Sequence, residues 1–293
     1  MSKQKIAFII NPISGKKTKQ LERKIVEQNL DNEKFEFVFE MTRYCGHGRA
    51  LAQEFVNQNY NIVVAVGGDG TVNEIAQVLA HTNTALGVIP AGSGNGLARF
   101  LNIPKNFAQA VQFLNKATIV DADYGLLNEQ IFLCTCGVGF DALVSSDFAN
   151  DKFRGFFGYL SAILRQFFEC KPENYQLISN KFNIEISAFM INFANISQWG
   201  YNAYIAPDAN IQDGEMVITI LKKFPFWAAP RIAAQLFLKN ITKNRYVNSL
   251  TASEITLIRN QQGWFQFDGE PCRMPEEVKI TIVRNGIKLL TKP

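Results

Sequence analysis

In the first part of the chain, short β-branched and aromatic runs alternate with stretches whose apolar residues recur three or four positions apart. The runs Ile6 to Ile10, Phe35 to Phe39, Ile62 to Val66 and Leu86 to Ile89 read as buried strands. Between them, Lys19 to Gln28, Arg49 to Asn57 and Val72 to Ala80 carry the helical period. This order predicts an α/β domain with a parallel sheet and helices on its faces. Ligands of such sheets gather beyond the carboxyl ends of the strands. Glycine-containing turns follow Ile10, Val66 and Ile89, so three loops are expected on one rim.

Near Asp121 the pattern changes to strands without long helices between them. Gln130 to Cys136, Lys181 to Ile191, Glu215 to Leu221, Glu254 to Ile258, Trp264 to Asp268 and Val278 to Val283 predict a mostly antiparallel β-sandwich. Two domains follow, 1–121 and 122–293, with the last residues a candidate to return to the first. The absence of repeats and of Pro/Ser-rich linkers suggests that they are closely joined.

Composition narrows the classes. The chain of 293 residues is 47% hydrophobic and 19% charged, enough apolar material for two ordinary cores. Five cysteines show neither CxxC spacing nor Cys/His clustering, which argues against disulfides and zinc and for a reducing, cytosolic compartment. The opening run IAFII is too short for a signal peptide, and no stretch approaches the ~20 apolar residues of a bilayer span. A net charge of +4 favours anionic partners mildly, and the dispersed basic residues do not suggest nucleic-acid binding.

The strongest chemical signal is Val66-Gly67-Gly68-Asp69-Gly70-Thr71-Val72-Asn73-Glu74, a strand end opening into a helix. Glycines let backbone approach phosphates, and a helix N-terminus offers free N–H groups. Asp69 is placed to hold a magnesium–phosphate group or to orient a hydroxyl, with a helix cap as the plain alternative. A second loop, Pro90-Ala91-Gly92-Ser93-Gly94-Asn95-Gly96-Leu97-Ala98-Arg99, offers Ser93 to a phosphate and Asn95 to the nucleotide. The third, Asn11-Pro12-Ile13-Ser14-Gly15-Lys16, resembles a phosphate loop, yet neither the Walker A nor the dinucleotide glycine pattern is present.

Together these motifs resemble the diacylglycerol kinase catalytic domain family, which includes soluble bacterial lipid kinases and sphingosine kinases. The resemblance runs nearly the whole chain. It rests on Asn11 to Gly15, Thr42 before Gly46-His47, Gly67 to Glu74 and Pro90 to Arg99, then on Gly137 to Ala142, Pro207 to Glu215 and Asp268-Gly269-Glu270-Pro271. It implies ATP in the cleft between the domains, held by Asn11, Pro12, Ile13, Ser14, Gly15, Thr42, Gly67, Gly68, Asp69, Gly70, Thr71, Val72, Asn73 and Ser93. It implies Glu270 as proton acceptor for a lipid hydroxyl, with Asp268 beside it and Asp69 on the nucleotide side. On a strand, Asp268 and Glu270 would share one face; Asp-Gly is also a favoured hairpin pair. Asp213 matches a structural magnesium position, with backbone carbonyls near Asn210 and Glu215 as companions, and a solvated Asp-Gly turn is the alternative. His47 shapes a helix start rather than moving protons.

The expected reaction is ATP- and Mg2+-dependent phosphorylation of diacylglycerol or a related lipid, a step of phospholipid metabolism. Gly96 departs from the aspartate many diacylglycerol kinases carry after the loop asparagine, which keeps sphingoid bases open as acceptors. Phe153 to Lys171 and Phe224 to Tyr246 set aromatic residues beside Arg154, Arg165, Lys222, Lys223, Arg231 and Lys239. They read as helices that pack on the second sheet and wall a lipid entrance at the inner membrane surface. A homodimer is left open. The rivals are an NAD kinase-like enzyme, which shares the G-G-D-G-T loop, and a catalytically silent nucleotide- or lipid-binding protein.

Overall fold

The protein is described by a computed structural model covering residues 3–14, 19–150 and 156–293, with backbone alone for 19–21, 150, 156, 157 and 159. Gly15, Lys16, Phe153 and Arg154, each singled out by its motif, lie outside the described residues. The chain forms two compact units, Met1–Ala122 with Asn285–Pro293, and Asp123–Arg284.

The first unit runs β1 (Gln4–Ile10), α1 (Lys19–Asn29), β2 (Phe35–Met41), α2 (His47–Asn57), β3 (Ile62–Gly67), α3 (Asp69–Leu79), β4 (Ala85–Pro90), α4 (Gly96–Phe100), α5 (Phe107–Lys116) and the start of β5 (Thr118–Leu127). Its strands are parallel in the order β2-β1-β3-β4. Ile6 through Val66 in the two middle strands are almost fully buried, as continuous apolar runs covered on both faces should be. On the helices the buried residues follow the period: Leu51, Ala52 and Phe55 on α2, and Val72, Ile75, Ala76 and Leu79 on α3.

The second unit contains β6 (Gln130–Phe132), β7 (Thr135–Gly139), α6 (Phe140–Asn150), α7 (Phe156–Glu169), β8 (Glu173–Ile178), β9 (Asn183–Ala188), β10 (Met190–Ala194), β11 (Gln198–Gly200), β12 (Ala203–Tyr204), β13 (Met216–Leu221), α8 (Ala229–Phe237), β14 (Val247–Ala252), β15 (Glu254–Arg259), β16 (Gly263–Phe267), β17 (Glu270–Met274) and β18 (Glu277–Thr291). One antiparallel layer is ordered β14-β13-β10-β7-β16-β17. The other joins β18, β15, β8 and β9. Phe132, Val138, Phe193, Ile218 and Phe265 meet Tyr175, Leu257 and Ile280 in the core of this sandwich. The opposite face of the first layer is covered by helices, with Ile232 of α8 and Phe167 of α7 packed on Phe189, Met190 and Leu221.

Three expected strands differ in detail. The run Gln130 to Cys136 breaks at Leu133 and Cys134, whose amides turn to the carboxylate of Asp268. Lys181 to Ile191 is two strands in different layers, with Phe189 at the crossing. Asp268 is not on a strand: Phe267 pairs with Glu270, so Asp268-Gly269 is the two-residue turn itself, with φ of 48° and 88°. β18 leaves the second unit after Arg284, and its Leu289 pairs in parallel with Leu86 of β4 in the first.

Candidate active site

The register of the parallel sheet brings Ile10 level with Met41 and Val66, and Gly67 level with Pro90. The loops after all four strands therefore leave from one rim. The chain winds away from β1 on both sides, which makes the gap between β1 and β3 the switch point where such sheets bind ligands. Asn11 spans this gap. Its Nδ2 donates to Thr71 Oγ1 at 3.0 Å, while its Oδ1 accepts from the Ile13 amide at 3.0 Å. Thr42, at the end of β2, donates its amide to the Ile10 carbonyl at 2.9 Å.

Asp69, first residue of α3, reaches across to the other glycine loop. One carboxylate oxygen accepts from the Gly96 amide at 2.7 Å and the other from the Asn95 amide at 2.8 Å, the short separations of charge-assisted bonds. It thus satisfies free N–H groups at the start of α4. Asn95 has a φ of 52° and closes the loop through its side chain, accepting from the Gly92 amide at 3.0 Å and donating to the Gly92 carbonyl at 2.7 Å. Arg99 Nε donates to the Gly94 carbonyl at 2.7 Å. The two loops touch so closely that a Cβ on Gly92 would lie 2.5 Å from the Gly68 Cα. Between these buttresses the exposed residues are Gly70 and Ser93, with Gly68 half-buried at the start of α3. Pro12, Ile13 and Ser14 border the same rim; Asn73 is buried and accepts from Gln77 Nε2 at 2.7 Å. His47 opens α2, where its Nδ1 accepts from the Arg43 amide at 3.1 Å and its ring stacks on Tyr44.

In the second unit the chemistry centres on the β16–β17 turn. Asp268 accepts from the amides of Leu133 at 2.8 Å, Cys134 at 2.7 Å and Thr135 at 3.2 Å. Its carboxylate is therefore committed to backbone, and the expectation that it shares a strand face with Glu270 is corrected. Glu270, by contrast, is exposed at the first position of β17, and its carboxylate makes no hydrogen bond or ion pair among the described residues.

Three groups near this turn carried no role in the sequence reading. Asp141, second residue of α6, is 3% exposed, and burial pushes its carboxyl up to about 7 against the opposing hydrogen bonds of Asn192, Gln266 and the Ala142 amide. Its Oδ2 accepts from Asn192 Nδ2 and from Gln266 Nε2, each at 3.2 Å, and Gln266 Oε1 accepts from the Gly269 amide at 2.9 Å. The one signal available for Gln266 was a polar residue inside the apolar strand Trp264-Phe265-Gln266-Phe267. Burial also raises the nearby thiols, Cys136 well above its ordinary range and Cys272 to about 11, away from the thiolate form.

Asp213, Asn210 and Glu215 each have partners within the protein. The Asp213 carbonyl accepts from Arg284 Nη2, its side chain accepts from the Glu215 amide at 2.9 Å, and Glu215 is paired with Lys181. Asn210 Oδ1 accepts from the Gln212 amide at 3.1 Å. Arg284 thus meets the Asp213 carbonyl, and among the described residues no group of three His, Cys, Asp or Glu suits a metal.

A switch-point rim of welded glycine loops suits the binding of a phosphate, and in the same chain an antiparallel sandwich carries an exposed, unengaged carboxylate. A profile described as "Diacylglycerol kinase catalytic domain" matches residues 5–127, and one described as "YegS C-terminal NAD kinase beta sandwich-like domain" matches residues 134–290. The chain belongs to the family of lipid kinases that combine these two domains. Relatives named "Probable lipid kinase YegS-like" from Yersinia pestis (strain Pestoides F) and Yersinia pseudotuberculosis (serotype O:1b, strain IP 31758) are 27% identical over 267 residues, 88% of each chain. A solved diacylglycerol kinase structure from Bacillus anthracis str. Sterne matches with a TM-score of 0.77 at 20% identity, covering 99% of this chain and 97% of that one. A second crystal structure from that organism reaches 0.82 at 21% identity, covering 99% and 98%. The expected fold, an α/β parallel-sheet domain followed by an antiparallel sandwich, is thereby shown, as is a lipid kinase.

Proposed function

We propose that this lipid kinase transfers the γ-phosphate of ATP to a hydroxyl of diacylglycerol or a closely related lipid, working as a peripheral protein at the inner membrane surface. The observation that carries the reading is the contrast between Asp268, fully engaged with backbone, and Glu270, exposed and unengaged on the same turn. A carboxylate held this way suits the role of accepting the proton of an attacking hydroxyl. In the balanced step the lipid oxygen bonds to the γ-phosphorus, the bond from that phosphorus to the β,γ-bridging oxygen breaks, ADP leaves and the proton passes to Glu270. ATP supplies the phosphoryl group, with Mg2+ as its companion ion. In this reading Asn11, Thr42, the Gly67 to Asn73 turn and Ser93 hold it by backbone N–H groups and small hydroxyls, since phosphoryl transfer is mostly positioning and charge neutralisation.

The membrane part of the reading is supported by an aromatic surface on the second unit. Phe168 is 71% exposed and Trp227 72%, and Phe226 contacts both Phe167 and Phe168 with ring centroids 5.5 and 5.4 Å apart. Exposed Lys222, Lys223, Arg231 and Lys239 flank it, as an interface with anionic lipid requires. Among the described residues no helix is long and apolar enough to cross a membrane. Gly96, where many diacylglycerol kinases carry aspartate, favours sphingoid bases as the second reading.

The test is transfer of labelled γ-phosphate from Mg·ATP to mixed micelles holding diacylglycerol, monoacylglycerol, ceramide or a sphingoid base, with NAD as control. Labelled diacylglycerol or monoacylglycerol supports the proposal, and label confined to the sphingoid base moves the acceptor to the second reading. Label in NAD alone, or in nothing, overturns it.

A further inference from the structure

The turn that presents Glu270 is tied to the sandwich at two points. One is Asp268, through the amides of residues 133 to 135. The other is a buried polar relay from α6. Gln266 is 2% exposed and its carboxamide can be oriented in one way only, because the Gly269 N–H must meet an oxygen; its Nε2 therefore faces Asp141 Oδ2 at 3.2 Å, with Thr135 Oγ1 farther off at 3.5 Å, and requires an acceptor there. Asp141 supplies that acceptor and is anchored in turn by the Ala142 amide at 2.8 Å and by Asn192 of β10. Space for the carboxylate is made on β7, where a Cβ on Gly137 would fall 2.1 Å from Asp141 Oδ2. Placing a carboxyl here disfavours its ionised form, so the apolar surroundings alone give no reason for one.

We propose that Gln266 is a positioning residue for the acceptor-side carboxylate: backed by Asp141, it holds the Gly269 amide and thereby fixes the start of β17 from which Glu270 meets the lipid hydroxyl. The proposal rests on the assignment of Glu270 made above. Gln266 touches neither lipid nor nucleotide in this scheme, and its effect passes entirely through the turn. Cutting the relay frees one end of that turn while Asp268 still holds the other, so the fold persists and the geometry of Glu270 loosens. A displacement of about 1 Å at a reacting group lowers rates on the order of 100-fold.

The experiment is a double-mutant cycle on full-length protein with Gln266→Met, which keeps the volume and removes the side chain's three hydrogen bonds, and Glu270→Gln. Expected are a fall in kcat for the lipid of roughly 10- to 100-fold in Gln266→Met, an unchanged KM for ATP, and a double variant no slower than Glu270→Gln alone. Losses that multiply overturn the proposal, as does a Gln266→Met variant with the parental kcat. A Glu270→Gln variant with the parental rate removes the assignment beneath it, and is distinguished because Glu270 is then dispensable whatever Gln266 does. Should Gln266→Met fold poorly, Asp141→Leu and Asp141→Asn supply the same comparison. Asparagine retains an acceptor for Gln266 and should recover at least about tenfold of the kcat lost with leucine; equal losses in both overturn the relay.

Discussion

Asp69 and Asp268 stand in the two most recognisable motifs of the chain, and in both units the aspartate is spent on backbone amides. What differs is what each leaves uncovered. Asp69 joins two loops of one rim and leaves a cradle of amides and hydroxyls around Gly70 and Ser93. Asp268 closes a hairpin on the residues before β7 and leaves a single free carboxylate, Glu270. A phosphate needs many weak donors, whereas a hydroxyl proton needs one well-placed acceptor.

The largest effect that could break this contrast is at Asp69. In Asp69→Asn one of the two acceptor oxygens becomes a donor facing an N–H, so turnover should fall more than about 100-fold and ATP affinity should fall with it. Steady-state kinetics over ATP concentration checks this; loss of turnover at unchanged ATP affinity would place Asp69 on the transferring phosphoryl instead of on the loop. Glu270→Gln should lower kcat on the order of 100-fold while KM for ATP and the melting temperature stay as they were. A matching loss of ATP binding would show that the two units do not divide the work as described.

A third prediction separates buried from exposed carboxylates. Burial raises Asp141 from an ordinary 3.8 to about 7. Its contribution to stability is therefore complete below about pH 4 and is lost as pH rises through about 7, because the unfolded chain ionises earlier than the folded one. Over that span the loss is about 4 kcal/mol at 1.36 kcal/mol per unit. Asp141→Asn should remove this dependence, so urea unfolding at pH 5 and 8.5 should show a smaller difference between the two pH values in the variant than in the parent. The smallest expected effect is at the aromatic surface. Trp227→Ala should weaken binding to vesicles containing anionic lipid about 5- to 30-fold, an effect of ~1 to 2 kcal/mol, with solution melting unchanged since the side chain is already 72% exposed. Sedimentation with vesicles measures it; parental binding would remove Trp227 from the interface.

The strands missed from the sequence show why pattern reading stopped where it did. β17 reads Glu-Pro-Cys-Arg-Met, with no β-branched run and a proline, and becomes a strand by pairing with β16 across the Asp268-Gly269 turn. β8, Glu-Asn-Tyr-Gln-Leu-Ile, alternates weakly and is held between β15 and β9. The central strands of the first unit were plain because burial on both faces demands an uninterrupted apolar run. The loops of the rim were equally plain, because the close approach of backbone to Gly68 admits only glycine at position 92.

The sequence by itself therefore determined the layer architecture, the rim on which the glycine loops gather, the family and the candidacy of Glu270. All of these depend on local period, local turn chemistry or several motifs in one order. Only the tertiary structure decided what each carboxylate touches. Asp69 finds its amides 26 and 27 residues away, Asp141 finds Gln266 at 125, and Asp268 finds Leu133 at 135. Hydrogen bonds are short-ranged and directional, so no spacing along the chain records partners that meet only once the sandwich has closed.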